Sequence, residues 1–219
     1  MSNKIIVIGS SGHATVIIDV LEQLNYQIVG CIDSFAPKGK KTLDYEVLGD
    51  EFILENTSEL GTNQVFIAIG NNFHRKEMYE KLLKINPNLE FPSIISPHAI
   101  ISPTVKIGFG NIIMDRVVIH ANSEIGDFNL INTSSVIEHN CIISSFASLS
   151  PNTILCGNVI IENLVFLGAS VTIIQKIKIL NNSFVAAGSV VISDCDSNSL
   201  YTGIPAKKKR SNYLNINYL

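Results

Sequence analysis

Residues 119–143 read IHANSEIGDFNLINTSSVIEHNCII, with isoleucine at 119, 125, 131, 137 and 143. The same six-residue beat runs upstream through Ile113, Ile107 and Ile101. Downstream it continues through Leu149, Leu155, Ile161, Leu167, Ile173, Ile179, Val185 and Val191, sixteen aliphatic positions without a failure. Two residues before the aliphatic the side chain is usually small or β-branched, as at Ala99, Ser123, Ser135, Ala147, Thr153, Val171 and Ser189, and glycine follows it at Gly108, Gly126 and Gly168. A period of six matches neither the 3.6 of a helix nor the 2 of a lone strand. It matches a solenoid in which each hexad is one short strand plus its turn, the aliphatic side chains stacking inward as the core. With three strands to a coil, the repeat makes about five coils, roughly 25 Å tall at a strand spacing of ~4.8 Å. Both ends of such a stack expose strand edges and need covering.

Upstream of the repeat the pattern differs. KIIVIG (4–9), HATVIIDVLEQL (13–24), QIVGCID (27–33), VFIAIG (65–70) and NNFHRKEMYEKLLK (71–84) alternate apolar runs with amphipathic stretches. That alternation argues for a Rossmann-like α/β domain, a small parallel sheet covered by helices. Within 71–84, Phe73, Met78, Tyr79, Leu82 and Leu83 recur at helical spacing, which leaves His74, Arg75, Lys76 and Glu80 for the solvent face. The expected division is an α/β domain over 1–96 and a β-solenoid over 97–219, with the α/β domain covering one end of the stack and the segment from Asp194 onward the other.

Composition narrows the partners. The 219 residues are 46% hydrophobic and 16% charged, with a net charge of -3, which suits packed globular domains and offers no positive field for nucleic acid. The apolar run before Gly9 is too short for a secretory core or a membrane span, so a cytoplasmic protein without membrane contact is expected. Cys31, Cys141, Cys156 and Cys195 form no C-x-x-C pair, so no metal site is expected and the thiols read as buried and reduced.

One pair stands out within the repeat. Glu138 follows an inward aliphatic and His139 follows Glu138, so both belong to a turn facing out of the stack. A solvated turn histidine is the plain reading, and it suffices for His98 and His120. His139 differs because a neighbouring carboxylate can hold one ring nitrogen and leave the other as a base.

The repeat resembles that of the hexapeptide-repeat acyltransferases, whose fold is a left-handed parallel β-helix and whose usual assembly is a homotrimer. INTSSVIEHNC (131–141) is similar to the N-T-x-x-x-[IV]-[ED]-H-[DEN]-C stretch of one branch: bacterial acetyltransferases acting on nucleotide-linked amino sugars, and the related sialic acid O-acetyltransferases. The resemblance implies an acetyl-CoA-dependent N-acetyltransferase of the UDP-4-amino-sugar type in surface-glycan or glycoprotein synthesis, with His139 as general base and Glu138 tuning it. Sugar O-acetylation by the same machinery is the alternative.

GSSGH (9–13) joins a strand to a helix, where free N–H groups suit a pyrophosphate. It is not a G-x-G-x-x-G dinucleotide fingerprint, although Asp33, at the end of the next strand, keeps an NAD-dependent oxidoreductase as a weaker reading. The resemblance implies instead that Ser11, Gly12 and His13 lie near the diphosphate or the sugar amine, and Asp33 and Ser34 near the nucleoside. Gly70 and Asn71, in AIGNNFHR (68–75), are either further lining or a plain helix cap. For the donor, the resemblance places Ser148, Gly157, Ala169 and Ala187 along a groove for the pantetheine arm of acetyl-CoA; some relatives carry histidine where Ser148 stands. YTGIPAKKKR (201–210) resembles the family's G-x-P-A-[KR] ending, and Lys207, Lys208, Lys209 and Arg210 read either as CoA phosphate contacts or as a solubilising tail.

Overall fold

The structure, a computed structural model, describes residues 3–211. The first part contains β1 (Lys4–Ile8), α1 (Gly12–Gln23), β2 (Gln27–Ile32), β3 (Lys41–Thr42), β4 (Tyr45–Gly49), β5 (Val65–Ile67) and α2 (Asn72–Ile85). They form one sheet in the order β3-β4-β2-β1-β5. Its main strands are parallel, and only β3 runs antiparallel to β4. The apolar runs IIVI and VFI are buried along their whole length, as expected for strands covered on both faces. From β1 the chain builds outward to β2 and β4 on one side, then returns to place β5 on the other. The crevice at the C-terminal ends of β1 and β5 is therefore the switch point at which α/β sheets hold ligands.

From Ile94 the chain winds as a left-handed parallel β-helix of two-residue strands. Three sheets of six, five and eight strands form the faces of the prism. Partners lie eighteen residues apart, as in Val118↔Val136 and Ile119↔Ile137. From Ile113 to Val191 every aliphatic of the six-residue beat is buried, whereas Ile101 and Ile107, in the first coil, are half-buried. The first rung, Ile94–Ile95, precedes the repeat and pairs with Ile112–Ile113.

A second period of six, absent from the sequence reading, lies in the backbone. Arg116, Asn122, Phe128, Ser134, Asn140, Phe146, Asn152, Asn158, Leu164, Ser170, Lys176 and Asn182 all have φ between 54° and 64°. Each follows an inward aliphatic by three residues and turns the chain through a corner. Asparagine is the side chain that best tolerates this left-handed conformation, which accounts for its recurrence here.

The two parts share one core. Ala14, Ile17, Ile18 and Leu21 of α1 belong to the same buried cluster as Ile94, Ile112, Ile131 and the aliphatic stack. α2 docks beside the prism on an aromatic column, with Phe128 stacked on Phe146 (centroids 5.0 Å apart) and Tyr79 4.4 Å from Phe128. Arg75 corrects the expectation of a solvent-facing side chain, for it is 0% exposed. Its guanidinium donates to the carbonyls of Phe128 (2.9 Å), Ile69 (2.9 Å) and Gly70 (3.0 Å), and to Asn72 Oδ1 (2.7 Å). At the far end, Ser199–Thr202 and the antiparallel Lys207–Ser211 extend the eight-stranded sheet; residues 212–219 of the expected cover lie outside the described residues.

Candidate active site

A cavity of about 550 Å³ opens at the switch point, lined by the ends of β1 and β2, the segment after β5, and α2. Ser11, Asp33, Ser34 and Gly70 are in its wall. Gly9 has φ +108°, and a Cβ there would lie 3.0 Å from the Ala68 carbonyl oxygen, so only glycine lets β1 turn this close to the neighbouring segment. Asp33 braces the loops: Oδ2 accepts from Ser10 N (2.9 Å) and Ser10 Oγ (2.6 Å), and Oδ1 accepts from Phe35 N (2.9 Å). Ser11 makes no side-chain cap to α1, and a Cβ on Gly12 would meet nothing within 4 Å. The loop thus presents an uncapped, uncrowded helix start to the cavity, an arrangement suited to an anion.

Deeper in the wall, Glu51 is 2% exposed. It accepts from the Ser34 hydroxyl and from Lys81 Nζ at 3.0 Å. Burial pushes its carboxyl up, but the bonds from Ser34 and Lys81 outweigh that and hold it below its ordinary range. Asn71 caps α2, its Oδ1 accepting from Phe73 N (3.0 Å) and His74 N (3.1 Å). His13 is half-buried and is not in the cavity wall. Burial first, and then the Arg75 charge, lower its pKa from 6.5 to about 4, so the ring is neutral at working pH. Its Nε2 is buried and has no hydrogen-bond partner among the described residues.

His139 lies at a different corner. Each coil turns at three corners, and Arg75 and Asn72 hold the one carrying Phe128, Phe146 and Leu164. His139 projects, exposed, from the corner between the strands Val136–Ile137 and Ile142–Ile143. Its Nδ1 is 2.9 Å from Asn140 Oδ1. Glu138 Oε1 lies 3.8 Å from His120 Nε2, one coil earlier. One coil later stands Gly157, where a Cβ would fall 2.6 Å from His139 Cε1 and 2.7 Å from Nε2. Glycine at 157 makes room for the imidazole.

The other expected donor residues are spread around the prism. Ala169 and Ala187 are exposed and stack eighteen residues apart at the corner following Leu167 and Val185. Ser148 is buried, and its hydroxyl donates to Asn72 Oδ1 at 2.6 Å under α2. The Arg75–Asn72–Ser148 cluster was not legible in the sequence, since Ser148 lies more than seventy positions from the other two.

The PglD N-terminal domain family matches residues 4–82. Perosamine N-acetyltransferase from Caulobacter crescentus, as a histidine-to-asparagine mutant in complex with CoA and GDP-perosamine, superposes with a TM-score of 0.90. It is 32% identical, and the match covers 94% of this chain and 97% of that one. The chain belongs to the hexapeptide-repeat sugar acetyltransferases. Another such acetyltransferase, the domain of PglB from Neisseria gonorrhoeae, is 26% identical over 94% of this chain and all of that one, with a TM-score of 0.85. WeeI from Acinetobacter baumannii, 23% identical with a TM-score of 0.84, shares the fold over 94% of this chain and 99% of that one. For a hexapeptide-repeat sugar acetyltransferase the oxidoreductase reading falls away; the acid that suggested it, Asp33, is engaged in bracing its own loops.

Proposed function

We propose that the protein transfers the acetyl group of acetyl-CoA to the amine of a nucleotide-linked amino sugar, as a cytoplasmic homotrimer. Residues 1–96 hold the nucleotide sugar and residues 97–219 carry the acetyl transfer. The observation that carries this reading is the setting of His139, with Nδ1 engaged by Asn140 Oδ1 and Nε2 standing over a glycine. An acceptor at Nδ1 fixes the ring proton there and leaves the Nε2 lone pair open as a base. Nε2 takes a proton from the acceptor nitrogen as that nitrogen bonds to the thioester carbonyl carbon. The carbon–sulfur bond then breaks, and the imidazolium returns the proton to the departing thiolate. Asn140 orients the ring, in the place expected of Glu138, whose Oε1 lies 3.8 Å from His120 Nε2 instead.

The small Gly157, Ala169 and Ala187 suit the approach of a thin pantetheine arm. Ser148 joins it only if its hydroxyl leaves Asn72. The nucleotide-sugar cavity and His139 belong to different corners of one chain, so a site uniting them is completed by a neighbouring copy. The six-stranded face, between the His139 corner and the Ala169 corner, turns Ile100, Val118, Val136, Ile154 and Val190 outward, with Ile100 66% exposed. An apolar face of this kind supports side-by-side packing of prisms.

The test is turnover of His139→Ala with acetyl-CoA and a panel of nucleotide-linked amino and hydroxy sugars. Loss of a general base lowers turnover by about 10² to 10⁴. Near-normal turnover in a folded variant would overturn the assignment. Activity of the unaltered protein on hydroxyls alone would replace N-acetylation with O-acetylation.

A further inference from the structure

The cavity has a rim and an inner wall that the phosphate loop does not explain. Phe35, on the rim, is 97% exposed. Its backbone is fixed by the bond from its N–H to Asp33 Oδ1. A ring held at the mouth of a polar cavity with nothing covering it is a platform for another flat group. Also lining the cavity, Lys81 Nζ donates to Glu51 and lies 5.7 Å from the centroid of the Phe52 ring. Glu51 is occupied by Lys81 and Ser34, so its charge is balanced. Lys81 keeps two further N–H groups, on a side chain 44% exposed. The other charged groups of the wall are Asp33, which braces its loops, and Glu77, which pairs with His74 at 3.2 Å.

We propose that Phe35 stacks on the nucleobase of the bound nucleotide and that Lys81 donates to a ring carbonyl, so that the cavity takes uracil, thymine or guanine and disfavours adenine. This rests on the reading that the α/β domain holds a nucleotide sugar. Uracil, thymine and guanine present a carbonyl oxygen where adenine presents an amino group, and an ammonium is a donor with no capacity to accept. The selection has a purpose within the reaction. Acetyl-CoA itself carries an adenosine diphosphate, and a cavity that prefers carbonyl bases keeps the donor's own nucleotide out of the acceptor's place.

Calorimetric titration of the whole protein with UDP, GDP, ADP and CoA tests the inference. UDP or GDP is expected to bind about tenfold or more tighter than ADP. Phe35→Ala is expected to weaken the better ligand by roughly 5- to 100-fold, the range of a lost base–aromatic stack. Lys81→Gln, which offers an acceptor as well as a donor, narrows the gap to ADP. ADP binding as tightly as UDP and GDP would overturn the inference, as would an unchanged affinity in Phe35→Ala. Phe35 has almost no packing to lose, so that variant decides the matter even if Lys81→Gln fails to fold. Binding of CoA with none of the three diphosphates bound would remove the nucleotide-sugar reading itself, and this inference with it.

Discussion

Gly157 and His139 stand one coil apart, and each sets a condition on the other. A methyl at 157 would occupy the space of the imidazole edge, 2.7 Å from Nε2. Gly157→Ala is therefore expected to lower turnover by about 10²-fold, the cost of moving a base by an ångström, while the thermal midpoint stays nearly constant because the displaced ring is exposed. Turnover and melting measured on the same preparation separate the two effects. This pairing was available in the sequence, since 157 is 139 plus one coil of eighteen, whereas the family resemblance alone pointed Gly157 toward the cofactor. His13 offers a second prediction. Its pKa is about 4 in the folded chain against an ordinary 6.5, so the unfolded chain binds the proton first as pH falls. Stability is lost between about pH 6.5 and pH 4, reaching on the order of 2 kcal/mol at pH 4.5. His13→Gln should lose less over the same interval, as read from urea midpoints at pH 7 and pH 4.5.

The corners of the prism are elements with a rule of their own. Asn158 has φ 62°, so Asn158→Val, a β-branched residue in left-handed backbone, is expected to cost about 1–2 kcal/mol; Asn158→Gly should be close to neutral. Denaturant midpoints for the two variants distinguish a backbone effect from a lost side chain. The strand half of each hexad was plain in the sequence because one buried face demands aliphatics at a fixed interval. The corner half was hidden, because Phe128, Leu164 and Lys176 adopt the same φ as the asparagines. There the surrounding coils impose the conformation and local preference does not announce it. α2 shows the same limit. Charge and helical spacing assign Arg75 to solvent, yet its partners include the main-chain carbonyl of Phe128, at a corner 53 positions away, and carbonyls leave no mark in a sequence. Arg75→Leu leaves those acceptors buried without a donor. A loss of about 3 kcal/mol or more is expected, with the single melting transition separating into two as α2 comes away from the prism.

Taken whole, the molecule has its cavity and its histidine on separate corners, and the homotrimer proposed above is what would bring the two together. Ile154→Glu, on the outward apolar face, is expected to yield monomers by light scattering and to lose activity together with assembly. Mixing His139→Ala chains with Phe35→Ala chains should recover turnover above that of either parent if the site is shared between copies. The solenoid and the α/β domain before it were readable from periodicity, and the left-handed hand and the family from the resemblance carried by the repeat and INTSSVIEHNC. The division of the site among corners was not, because it follows from which corner α2 grips. The last strand carries a separate lesson. Among the described residues, Lys207–Ser211 is the edge strand of the eight-stranded sheet, with every side chain exposed and four successive cations among them. An uncovered sheet edge invites another strand, and a row of like charges repels one. The basic strand thus acts as a guard against edge-to-edge strand pairing whatever else it touches. Because the α/β domain closes the opposite end, discharging that edge, by high salt or by Lys→Gln changes, would join molecules tail to tail in pairs and could not propagate into fibres.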